Sequence, residues 1–144
     1  MPSRNELPHG SPRDWLRRAR SSCAYARISN PEEVCWEEPC FQAQQAAEKA
    51  IKGLMLHFDV RFPYVHDLGL LLDEFEKGGI TIPDDVRECV DLTPYAFQTR
   101  YPGDYEPVTE EDYHRAIEQA NAVVDWVSRI IESDSGPLNE QINR

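Results

Sequence analysis

Apolar residues recur every three to four positions through most of this chain, the period of a helix with one buried side. The first such stretch is predicted over residues 12–28. Ser11 stands before it as a cap and Pro12 occupies its first position. Trp15, Ala19, Cys23 and Ala26 share one face, and Arg13, Arg17, Arg20 and Arg27 share another. Asn30-Pro31 closes it, and the acidic "PEEVCWEEP" reads as a linker.

The second helix, 39–58, carries the strongest pattern. Cys40, Ala43, Ala47, Ala50, Ile51, Leu54 and Phe58 form its stripe, and the small Ala46 and Gly53 flank it, so a neighbouring helix can approach closely. A third helix is predicted over 66–77 with Leu68, Leu71, Leu72 and Phe75 inward, stopped by Gly78-Gly79. Pro83 opens a fourth, which Pro94 must interrupt or kink. Thr109 caps the last, whose apolar period runs from Tyr113 to Ile131. No alternating strand pattern appears. The expected fold is all-α: an up-and-down four-helix bundle with one additional short or kinked helix. Its body covers 12–132, between a disordered segment 1–11 and a flexible tail 133–144. One residue is out of place: Trp126 falls opposite the apolar face of the last helix. A second buried surface, as in a homodimer, would account for it.

Composition narrows the function classes. With 144 residues and a net charge of −11, the chain is expected to be one domain without general adhesion to nucleic acid. The charge is uneven, because residues 1–27 hold six arginines against Glu6 and Asp14. No apolar run is long enough to cross a membrane and no secretion signal is visible, so a cytoplasmic location is expected. Cys35 and Cys40 are spaced C-x4-C without a second pair to complete a zinc site, so no metal and no cofactor are expected, and the four cysteines read as free thiols.

Within the second helix, Gln44 lies about 40° from Cys40 at the edge of the apolar stripe, with Glu48 one turn on. A buried amide needs partners, so Gln44 and Glu48 are expected to bond either the Arg100 loop or the segment around His66. Gln45, Lys49 and Lys52 fall on the other side, toward solvent, a ligand or another subunit.

Three stretches resemble the landmarks of the HEPN domain family (higher eukaryotes and prokaryotes nucleotide-binding). "CFQAQQAAEKAIKGLML" is similar to its signature helix, "YVHDLGLLL" to the His-Asp-Leu that opens the third helix, and "TRYPGDYEPVTEEDYHRAIEQA" to the Arg-Tyr-Pro loop before the last. The resemblance spans about residues 15–131. It implies a helical bundle, usually dimeric, that binds nucleotide or RNA. It also implies a partner, a small nucleotidyltransferase of the minimal type, often in a toxin–antitoxin pair. On that basis Arg100, Tyr101, His66, Gln44, Glu48, Lys49 and Lys52 are the candidate ligand-binding residues. Some members are metal-independent ribonucleases with an R-x4-6-H motif, and Arg61 with His66 has that spacing. A histidine that titrates near neutrality and a permanent arginine charge suit RNA cleavage without metal. Phe62 and Pro63 depart from the polar residue usual after the arginine, and the pair lies earlier in the chain than the motif does in those nucleases.

Overall fold

The computed structural model describes residues 10–27, 32–62, 64–97, 103 and 106–133. Five α-helices order these residues: α1 (Pro12–Ala26), α2 (Glu37–His57), α3 (Leu68–Lys77), the single turn α4 (Asp84–Arg87) and α5 (Glu110–Ser133). A 3-10 segment, Glu88–Ala96, continues α4 without a break. No strand occurs among the described residues, and the all-α bundle expected from the periodicity is what forms.

Local chemistry sets the helix ends. Ser11 accepts from the Asp14 N–H at 3.1 Å, and the Asp14 carboxylate reaches back to the Gly10 N–H at 2.9 Å. Before α5 the pairing is fully reciprocal: Thr109 Oγ1 accepts from the Asp112 N–H at 3.1 Å and the Asp112 carboxylate accepts from the Thr109 N–H at 3.0 Å. Asp67 caps α3 by accepting from the Leu70 N–H at 3.2 Å. Two helices end alike. Asp59 at φ 57° closes α2 while the Val60 N–H donates to the Met55 carbonyl. Gly79 at φ 86° closes α3 while the Ile80 N–H donates to that of Phe75. Pro94 lies inside the 3-10 segment. Its missing N–H and its ring both oppose a regular α-helix through that point.

Helix α2 is the centre of the bundle and packs on α1, α3, α5 and the 3-10 segment. Ala43, Ala46, Ala47, Ala50, Ile51, Leu54 and Met55 are wholly buried in it. The small residues allow the close approach that the pattern suggested. A methyl placed on Gly53 would stand 2.8 Å from Trp15 Cβ and 3.2 Å from the Pro12 carbonyl oxygen. Helix α1 adds Leu16, Ala19, Cys23 and Ala26 to the core. Its outer arginines tie it to α5: Arg20 binds Glu132 at 2.8 Å, and Arg27 binds Asn121.

Three expectations change. Trp126 is 8% exposed, buried within its own chain. Phe75 of α3 meets the indole edge-on at 6.2 Å between ring centroids. A wheel drawn against one neighbouring surface misses this, because α5 buries two. Phe58, assigned to the α2 stripe, is 39% exposed, since the turn at Asp59 begins there. The linker is shorter than expected: α2 starts at Glu37, and Trp36 stacks on Tyr113 at 4.9 Å. The terminal segments, apart from Gly10, Ser11 and the α5 residue Ser133, lie outside the described residues.

Candidate functional site

Glu48 lies in the middle of α2, and its side chain is 8% exposed. Three side chains converge on it. Gln44, one turn earlier, donates to Oε1 at 2.9 Å, and Lys52, one turn later, donates to Oε2 at 3.0 Å. His66 arrives from the segment before α3 and places Nδ1 2.9 Å from Oε1. Burial pushes the Glu48 carboxyl up, but the bonds from Gln44, His66 and Lys52, with the charge of Lys52, outweigh it and hold the group below its ordinary value. Glu48 is therefore a carboxylate, and the Nδ1–H of His66 donates to it. In the neutral ring this leaves Nε2 as the acceptor.

Lys52 corrects an expectation. The wheel placed it toward solvent, a ligand or another subunit, yet its side chain is 9% exposed and turned onto Glu48 of its own helix. Its ammonium binds Glu48 and lies 5.5 Å from the centre of the Phe62 ring, which in turn meets Trp15 edge-on at 6.2 Å. The i, i+4 spacing of Glu48 and Lys52 is the sequence signal for this pair. Lys49 is half-buried and donates to Ser22 Oγ on α1 at 2.9 Å. Gln45 does not stand apart from its neighbour either, donating to Gln44 Oε1 at 2.7 Å. Gln45, Gln44, Glu48 and Lys52 thus form one connected polar chain along α2.

The cluster is deep at Glu48 and open at His66, whose side chain is 56% exposed. Phe97, 57% exposed, meets the imidazole edge-on at 6.5 Å. Tyr64, two residues before His66, is 99% exposed, and Arg61 is exposed as well. Thr93 fixes the start of α3 from the 3-10 segment, its hydroxyl accepting from the Leu68 N–H at 3.2 Å. Nothing in the sequence patterns pointed to Phe97 or Thr93, because both come from a segment of irregular period. Arg100, Tyr101 and Tyr105 lie outside the described residues.

No group of three or more His, Cys, Asp or Glu side chains is placed to hold a metal ion among the described residues. The cysteines are free, and burial pushes the Cys40 and Cys89 thiols up to about 12, away from nucleophilic use. No described helix is long and apolar enough to cross a membrane.

The HEPN domain family matches residues 12–130, and the chain belongs to that family. Among solved structures it is similar to ST0689, an archaeal HEPN homologue, with a TM-score of 0.68 and 29% identity over 84% of this chain and 98% of that one. It is also similar to TT1696 from Thermus thermophilus, with a TM-score of 0.67 and 29% identity over 82% of this chain and 96% of that one. No curated protein matches.

Proposed function

We propose that this HEPN protein is a nucleotide- or RNA-binding module that works with a small nucleotidyltransferase in a toxin–antitoxin-like pair, as a homodimer. The observation that carries the binding reading is the mouth of the Glu48 cluster. An exposed imidazole, fixed from behind by a buried carboxylate, stands against the exposed ring of Phe97. Such a pairing suits a base stacked on the aromatic face and a polar group held by the imidazole. Titrating ATP and a single-stranded RNA into the wild type and His66→Ala tests it. The variant should keep its fold, since His66 is exposed, and lose about tenfold in affinity for the ligand that binds. Equal affinity would remove this end of the cluster from the site. Pull-down of a neighbouring nucleotidyltransferase and light scattering test the two partnerships.

A second reading draws on the same bond. With Nδ1 engaged by Glu48, the neutral His66 offers Nε2 as a base, the arrangement that metal-independent RNA cleavage with Arg61 would use. Incubation of RNA with wild type and His66→Ala in a chelator decides it: cleavage by neither, or by both equally, ends that reading.

A further inference from the structure

The cationic side chains do not stop at Lys52. On the seam where α1 lies antiparallel to α2, Arg18 and Ser22 stand one turn apart on α1 and Lys49 faces them from α2. Lys49 donates to a neutral hydroxyl, and no carboxylate is bonded to it among the described residues. Arg18 uses Nε to hold Asp14 at 3.2 Å, and Asp14 also serves Arg17 at 2.7 Å. Arg17 and Arg18 thus share the Asp14 carboxylate, while the ammonium of Lys49 is bonded to a hydroxyl, on a chain whose net charge is −11. Burial, then the Arg18 charge, push the Lys49 ammonium down from its ordinary value, while Glu48 pulls it the other way. Two like charges are thus held within influence of one another, a cost that a bound anion would relieve.

We propose that Arg18 and Lys49 form a phosphate-binding subsite on the α1–α2 seam, continuing the site at His66, so that the ligand is a single strand of several nucleotides. Three features favour a strand over a lone nucleotide. The cations are spread over two helices. Lys49 stands next to Glu48, which binds both His66 and Lys52, and Lys52 is its i, i+3 neighbour on the same helix. The far end of the path carries the exposed aromatic groups Phe97 and Tyr64, and interleaved cations and rings suit a strand that stacks its bases and runs its phosphates along a positive track. The proposal takes the polynucleotide branch of the binding reading above and adds to it residues which that reading does not need.

The test measures binding of a labelled oligouridylate of roughly 12 nucleotides, against UMP, as a function of salt. The proteins are wild type, Arg18→Gln, Lys49→Gln, Lys49→Arg and His66→Ala, with thermal melts to confirm folding. Each glutamine variant should lose several-fold in affinity for the oligonucleotide. Each should also flatten the slope of log K against log salt by about 0.7, the share of one phosphate contact on a single strand. Lys49→Arg should keep the slope, and UMP binding should be the same in all seam variants. If His66→Ala weakens binding while the seam variants keep both affinity and slope, the subsite is refuted and the His66 reading stands. If the seam variants lose affinity and slope while His66→Ala does not, the subsite stands and the His66 reading falls. Failure of wild type to bind the oligonucleotide refutes the strand ligand, whether or not UMP binds.

Discussion

Two ion-pair clusters in this molecule use similar chemistry in opposite settings. In the first, Glu48 and Lys52 meet at 3.0 Å with side chains 8% and 9% exposed. In the second, Arg20 and Glu132 meet at 2.8 Å with 46% and 39% exposed. The shorter contact is the weaker determinant of the fold. Water and salt screen Arg20 and Glu132 and take their place readily, whereas neither buried charge can be left alone. Solvent access, rather than distance, decides what each pair does. The inner cluster constrains which residues the core tolerates, and the outer one trims the α1–α5 contact.

The largest expected effect follows from removing the inner carboxylate. Glu48→Ala leaves Lys52 buried without its partner and should lower unfolding free energy by about 3–5 kcal/mol in urea titration. A loss under about 1 kcal/mol, the range of an exposed pair, would place the two clusters on the same footing. Gly53→Ala sharpens the comparison, because it changes packing and no charge. With Trp15 Cβ at 2.8 Å from the added methyl, the cost should be about 1–3 kcal/mol and should not vary with salt or pH.

Asp14 stands between the extremes, a carboxylate 3% exposed whose partners Arg17 and Arg18 are 33% and 46% exposed. The Gly10 N–H first, then Arg17 and Arg18, bring it from 3.8 down to about 2 against the opposing effect of burial. A carboxyl depressed in the folded state stabilises above its unfolded value and loses that contribution as pH falls through its folded value. Asp14→Asn should therefore cost about 1–2 kcal/mol at neutral pH, in keeping with a charge at a partly buried helix start. The difference from wild type should close between pH 3.8 and about 2. Chemical denaturation at several pH values checks the window, and a gap that persists at the acid end would refute the assignment. The smallest effect belongs to Arg20→Ala, at about 0–1 kcal/mol and shrinking with added salt.

The sequence carried the helices further than it carried the site. Helices α2 and α5 were legible because long apolar periods admit one reading, and caps such as Thr109 and stops such as Gly79 are local chemistry. Gln44 and Glu48 were also legible as inward-facing, and the bond from Glu48 to the His66 segment is among the contacts expected. Lys52 was not. Its ammonium turns back to Glu48 beside the Phe62 ring, a placement that a wheel of Cα directions does not show. Phe97 and Thr93 were illegible for another reason. They come from a 3-10 segment and its end, where the period matches neither helix nor strand, so the buried face cannot be read from spacing. Trp126 misled because one helix was covered from two sides.

That double cover gives the protein a built-in optical reporter. Phe75 of α3 stands against the indole of Trp126, so its emission should respond when that helix shifts. In a variant carrying Trp15→Phe and Trp36→Phe, the emission should be blue-shifted in the native state and move to the red when α3 lifts away. A strand or partner protein that loosens or tightens the third helix would then announce itself as a change of colour, before any change in helix content.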